Sequence, residues 1–227
     1  MFSVCRDQEI IHVLIFNNQT MSSVFKTIRK GKLRLLYPFI VVLVLIAACG
    51  GRQDGKEKIV IRTELGDIHV SIDLRKAPVT SANFLKYVDA HLYDSACFYR
   101  LVQPGNQPAD SVRIEVIQGG RYKRAAERGF PPIAHETTVT TGILHRDGTV
   151  SMARSQPGTA TSEFFICVGD QPELDFGGKR NPDGQGFAAF GEVTSGMDVV
   201  RKIHSIDIQG QYLEKPVIIT EIIREGR

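Results

Sequence analysis

Short runs of alternating apolar and polar residues dominate the chain from Ile59 onward. Ile59-Val60-Ile61-Arg62-Thr63 and Ile68-His69-Val70-Ser71-Ile72 flank Leu65-Gly66-Asp67, a spacing that predicts a β-hairpin. The period then changes. Val79, Phe84, Tyr87 and Val88 recur at about helical spacing, and Pro78 and Thr80 suit a helix start. A second amphipathic helix is expected over residues 197–203, after Phe190-Gly191-Glu192-Val193 and a turn at Ser195-Gly196. Pro216-Val217-Ile218-Ile219-Thr220-Glu221-Ile222-Ile223 reads as a closing strand. Within residues 151–169, a polar loop (Gln156-Pro157-Gly158-Thr159) precedes Glu163-Phe164-Phe165-Ile166-Cys167-Val168, which has strand composition. Adjacent Phe164 and Phe165 must point to opposite faces of that strand. One ring can enter a core while the other lines a surface pocket. Many short strands, two helices and no internal repeat suggest one domain with a closed antiparallel barrel, although the pattern alone goes no further than a β-rich α/β mix.

The front of the chain follows a different pattern. Residues 35–48 are almost wholly apolar, are preceded by Lys26, Arg29, Lys30, Lys32 and Arg34, and end in Ile46-Ala47-Ala48-Cys49-Gly50. A basic stretch, an apolar stretch and small residues before a cleavage point make a secretory signal. The rival reading is an uncleaved membrane anchor, but about 14 apolar residues fall short of the roughly 20 a span needs. The small pair followed by cysteine resembles a bacterial lipobox, which implies that Cys49 is fatty-acylated (palmitate) and becomes the mature N-terminus. Asp7 and Glu9 sit awkwardly before a basic stretch, whereas no acid occurs between Met21 and Cys49. The expected division is therefore a mis-assigned leader at 1–20, a lipoprotein signal peptide at 21–48, a lipidated cysteine and tether at 49–58, and one domain at 59–227. Localisation follows: the cell envelope, with Gly50 resembling lipoproteins sent to an outer membrane.

Removing that leader changes the charge. The whole chain carries 28 Lys/Arg against 25 Asp/Glu, but the first 48 residues hold six of the bases and two of the acids. A mature domain near −1 gives no reason to expect nucleic acid as a partner. Cys97 and Cys167 sit in apolar strand-like runs and are expected as buried thiols without a disulfide. His69, His91, His135, His145 and His204 are scattered with no ligand spacing, so no metal and no cofactor is expected.

Three short motifs, in order, resemble the cyclophilin family. They are Phe98-Tyr99-Arg100, Gln118-Gly119-Gly120 and Ser162-Glu163-Phe164-Phe165-Ile166; Thr63-Glu64-Leu65-Gly66-Asp67-Ile68 is similar to the family's opening. The resemblance covers about Ile59 to Ile223. It sharpens the fold to a mainly β protein: a closed eight-stranded antiparallel β-barrel capped by two α-helices. The implied activity is peptidyl-prolyl cis-trans isomerisation. The implied partners are proline-containing peptides or unfolded proteins, met by a monomer held to a membrane through its lipid anchor.

By the same resemblance Arg100, Gln118 and Phe165 are the catalytic residues. Arg100 would donate to the prolyl nitrogen, Gln118 would hold the substrate backbone and Phe165 would floor the proline pocket. Val116, Ala153, Arg154, Glu163, Leu174 and Phe187 are the implied substrate-binding residues, with Glu163 in place of the family's usual glutamine. The chain also departs from the pattern. Glu115 stands where the family has a pocket phenylalanine, and Glu173 where many members have an aromatic residue before the pocket leucine. These carboxylates either face water or select a basic substrate. Two polar insertions, 103–111 and 176–185, could flank the pocket. Lost turnover with retained peptide binding, or a barrel serving only as scaffold for those loops, are the competing readings.

Overall fold

The computed structural model describes residues 55–122 and 129–226. The expected leader, signal peptide and lipidated Cys49 lie outside the described residues. Eight strands form the framework: β1 (Lys56–Thr63), β2 (Gly66–Asp73), β3 (Ala96–Val102), β4 (Val116–Gly120), β5 (Thr149–Met152), β6 (Phe164–Cys167), β7 (Ala188–Ser195) and β8 (Tyr212–Arg224). All neighbours are antiparallel, and the sheet closes on itself in the order β1-β2-β7-β5-β6-β4-β3-β8. Closure leaves no barrel strand without a neighbour on either side, which disposes of the edge-pairing hazard of an open sheet. Helix α1 (Pro78–Asp89) packs on β2, β7 and β8, and α3 (Met197–His204) on β2 and β4. The four-residue α2 (Thr138–Thr141) lies between β4 and β5.

The barrel is the one the motifs implied, with longer strands at both ends of the chain. Lys56, Glu57 and Lys58, expected in the tether, pair with Asp73, Ile72 and Ser71. Strand β8 begins at Tyr212, four residues before the apolar run that marks it in the sequence. Backbone hydrogen bonding extends a strand past its hydrophobic stretch at no side-chain cost, so polar strand ends are hard to read from patterning.

Inside the barrel, alternate residues of each strand meet a group of aromatic rings. Phe84 of α1 lies 5.1 Å from Tyr93, 5.1 Å from Phe190 and 5.4 Å, edge to face, from Phe164. All four rings are fully buried. Edge-to-face contacts of this kind add about 0.5–1.5 kcal/mol per pair beyond simple burial. The helix that delivers Phe84 differs in detail from expectation. Val79 is exposed, and the buried face is carried by Thr80, Ser81, Asn83, Phe84, Leu85, Tyr87 and Val88. Small polar residues are tolerated there because they are bonded: Ser81 Oγ donates to the Asp73 carbonyl and Asn83 Nδ2 to the Thr161 carbonyl. The helix start is capped from a distance, since the Glu136 carboxylate accepts from the Val79 and Thr80 amides and from the Thr80 hydroxyl.

Candidate active site

The active-site candidates occupy the outer face of β3, β4 and β6. Strict alternation along β3 would send Arg100 inward with Phe98. A β-bulge between Phe98 and Arg100 shifts the register against both β4 and β8. Phe98 and Leu101 can therefore both enter the core while Tyr99 and Arg100 both stay outside it. Across the sheet, Arg100 stands opposite Gln118, Gln118 opposite Phe165, and Phe165 opposite Ser151. Directly opposed residues face the same side. The three motifs thus deliver one transverse row of side chains: cation, amide, ring.

Phe164 and Phe165 divide as their adjacency requires. Phe164 is in the barrel core, whereas Phe165 belongs to a second apolar cluster with Val102, Ile114, Val116, Cys167 and Leu174. Together these walls leave a pocket of about 240 Å³. Arg100, Val116, Gln118, Ala153, Arg154, Phe165, Leu174 and Phe187 all line it. Phe187 meets Phe165 edge to face at 5.3 Å. A larger cleft of about 430 Å³ lies elsewhere, lined by charges of both signs (Lys56, Asp73, Lys76, Arg146, Asp147, Glu192) and by no aromatic ring.

Three acidic residues singled out in the sequence stand outside the pocket lining. Glu163 does not line the pocket. Its Oε1 accepts from the Arg121 and Tyr122 amides and from the Ser162 hydroxyl, behind the Gln118-Gly119-Gly120 segment. Its carboxylate occupies the space a Cβ on Gly120 would need, 2.6 Å from that ideal position, at φ +143°. Glu115 is also absent from the lining: Ile114 and Val116 share the pocket face and Glu115 points the other way, 4.0 Å from His204. Glu173 turns its carboxylate onto the Lys179 amide at 2.8 Å. Strand parity and a local turn carry both groups out of the lining, in line with the reading that they face water.

Electrostatically, the row is a chain of donors and acceptors. Arg100 Nη1 donates to Gln118 Oε1 (2.8 Å), and Gln118 Nε2 donates to the Tyr99 hydroxyl (2.7 Å). An arginine has no acceptor, so the amide oxygen must face it and the orientation of Gln118 is determined. Burial, and after it the charge of Glu163, push the Tyr99 hydroxyl well above its ordinary value, so it remains protonated. Gln211, which sequence reasoning missed, accepts from the Arg100 Nε and Nη2 groups. No carboxylate among the described residues pairs with Arg100.

Behind the floor lies a second group without a sequence signal. His145 is buried, donates from Nδ1 to Asp175 Oδ1 (2.7 Å), is bonded at Nε2 to the Ser151 hydroxyl (3.0 Å), and stacks on Phe165 at 5.9 Å. Its order resembles a hydrolytic triad, but Ser151 is fully buried beneath the sheet neighbours and has no access to substrate. The group supports the floor ring. Arg154 acts through its side chain as a clamp, forked onto Asp183 (2.8 and 2.9 Å) and onto the Gly186 carbonyl, with its guanidinium 5.2 Å from the Phe187 ring. Cys97 and Cys167 are not joined in a disulfide; Cys167 is buried as expected, while Cys97 is only half-buried. Among the described residues no group of three or more His, Cys, Asp or Glu could hold a metal ion.

Comparison with known proteins places this geometry. The model of the family described as cyclophilin type peptidyl-prolyl cis-trans isomerase matches residues 58–224. Peptidyl-prolyl cis-trans isomerase A of Dickeya dadantii is 34% identical over 169 residues, 71% of this chain and 80% of that protein. Peptidyl-prolyl cis-trans isomerase B of Escherichia coli is 33% identical over 169 residues, 74% of this chain and 96% of that protein. A solved cyclophilin type peptidyl-prolyl cis-trans isomerase of Cryptosporidium parvum, crystallised in the presence of the dipeptide ala-pro, shares the fold. Its TM-score is 0.61, its identity 20%, and the match covers 75% of this chain and all of that one.

Proposed function

Because the chain belongs to the cyclophilin-type peptidyl-prolyl cis-trans isomerase family, we propose that its outer-face row rotates X-Pro peptide bonds in proteins of the cell envelope. The observation that carries the reading is the alignment of Arg100, Gln118 and Phe165 across three neighbouring strands beside an apolar pocket. Rotation meets a barrier of about 18–20 kcal/mol because resonance stiffens the C–N bond, and uncatalysed exchange takes tens of seconds or more. No covalent bond need form. A proline ring seated against Phe165, Val116 and Leu174 would hold one side of the bond. As the amide twists, its nitrogen loses conjugation and becomes a hydrogen-bond acceptor, which the Arg100 guanidinium can meet. Donors fixed in advance in a partly dry pocket favour that twisted state without reorganising. Gln118 would hold the guanidinium and the substrate backbone together.

The alternative of a pocket that binds proline without turnover drew its support from Glu115 and Glu173, and neither carboxylate enters the lining. The row and pocket are complete within one chain, which suits a monomer. Envelope localisation rests on the basic and apolar stretches before Cys49. Cis/trans exchange of a short X-Pro peptide, followed by NMR with and without the purified protein, tests the activity. Acceleration that collapses in Arg100→Ala supports it; a folded wild-type protein that accelerates nothing refutes it. Loss of fatty-acid labelling and membrane association in Cys49→Ala tests the anchor.

A further inference from the structure

The two insertions that lengthen this chain are stapled together beside the pocket. Arg180, in the second, directs Nη1 to the Val112 carbonyl (2.7 Å), to Gln107 Oε1 (3.2 Å) and to the Asp110 carboxylate (3.1 Å). The first insertion is firm enough to receive it. Gln107 is buried, and its amide donates to the Gln103 and Ile114 carbonyls while accepting from the Ile114 amide. The second insertion is held by the Arg154–Asp183 fork. Arg180 and Asn181 thereby become part of the pocket wall, with the Arg180 side chain only 14% exposed.

Among the described residues the charge of that wall is one-sided: three arginines line the pocket (Arg100, Arg154, Arg180) and no Asp or Glu does. Arg154 is matched by Asp183, and among the described residues Arg100 bonds the neutral amides of Gln118 and Gln211 and lies 6.0 Å from the Tyr212 ring, with no acid paired to it. Arg180 has one acid, Asp110, whose side chain is 41% exposed. Among the described residues, every hydrogen bond and ion pair of the Arg180 side chain uses Nη1, which leaves Nη2 and Nε as donors within that set, in the planar fork that suits a carboxylate.

We propose that Arg180 forms a subsite that selects substrates carrying an acidic side chain next to the proline. The inference rests on the isomerase reading of the pocket and names its preferred substrate class. It is opposite to the basic-substrate alternative considered for Glu115 and Glu173, since the carboxylates turn out and the arginine turns in. A glutamate beside the proline gains a partly desolvated partner. A lysine there meets like charge.

The test uses the full chain and X-Pro peptides with Glu, Ala or Lys immediately before or after the proline, with exchange rates and binding read from the same NMR titrations. Wild type is expected to favour Glu over Lys in kcat/KM by on the order of fivefold at low salt, fading as ionic strength rises. Arg180→Gln should bring that ratio close to one. Asp110→Asn should raise it, because the guanidinium loses its competing acid. A role confined to stapling the loops would lower the rates of all peptides in parallel in both variants and leave the ratio unchanged; that result overturns the proposal. Failure of the isomerase reading is distinct: the Ala peptide would not be accelerated at all, and the Glu-to-Lys ratio of Kd would then decide the subsite.

Discussion

Gln211 Oε1 accepts from both Arg100 Nε (3.0 Å) and Arg100 Nη2 (2.6 Å), a contact between residues 111 positions apart. Gln211 is itself anchored, donating from Nε2 to the Asn106 carbonyl at 3.2 Å. Arg100 therefore sits between two amides, Gln118 on β4 and Gln211 at the start of β8, and its guanidinium plane is set by both.

Gln211→Ala should release one side of that plane. We expect kcat/KM to fall by about tenfold, mainly through kcat, because misplacing a reacting donor costs rate without removing the pocket. Thermal stability should be nearly unchanged. Gln211→Glu should instead raise KM, since the substrate must then compete with a carboxylate for Arg100. Steady-state kinetics on one peptide separates the two outcomes, and equal effects of both variants would argue against this positioning role.

The buried His145 bridges Asp175 and Ser151. His145→Phe keeps a ring against Phe165 but leaves the Ser151 hydroxyl without its imidazole partner and Asp175 with only the residue-145 amide on Oδ1, at a cost of roughly 1–3 kcal/mol. Urea unfolding should register that loss. A change below about 0.5 kcal/mol would show that solvent reaches the site and substitutes for the imidazole.

Gly120 has φ +143°, and an ideal Cβ would lie 2.6 Å from the Glu163 carboxylate. Gly120→Ala should destabilise by about 2 kcal/mol or more, combining backbone strain with displacement of a carboxylate that holds two amides. Pairing it with Glu163→Ala should recover the steric part and none of the lost hydrogen bonds. A double-mutant cycle measures the difference.

Hydrogen bonds from Arg154, and then the Gln185 amide, lower the Asp183 carboxyl from 3.8 to about 2. A group whose pKa is depressed on folding contributes stability above its unfolded pKa and loses it as pH falls through the folded one. The clamp on the 176–185 loop should therefore persist at pH 3 and release near pH 2. The carboxyl carbon shift of Asp183 followed through an acid titration checks this; a midpoint near 4 would mean that the fork does not form in solution.

Much of the site was legible because its residues come in short contiguous motifs. Eight of the nine residues expected at the pocket do line it, and Phe164/Phe165 divide between core and pocket as adjacency on a strand demands. Glu163 stands outside the lining, because a motif position says which residue is present and not which face it serves. For Glu115 the sequence left two readings open, facing water or selecting a basic substrate, and strand parity with Val116 carries it out of the lining. Gln211 and His145 carried no signal, and Arg180 was marked only as part of the 176–185 insertion expected to flank the pocket. Each acts on the site from a segment whose approach depends on chain closure.

Local chemistry along the chain determined the strands, the helices and the order of the motifs. Side-chain alternation and turn residues act over a few positions, and those interactions are present in the sequence itself. Tertiary structure alone decided how the row is completed: the bulge that turns Arg100 outward, the register that sets it opposite Gln118, and the closure that brings Gln211 and Arg180 to the pocket. Register and closure are collective properties of eight paired strands. A one-residue slip in any pair would send its side chains to the other face, and no local stretch of sequence contains that choice.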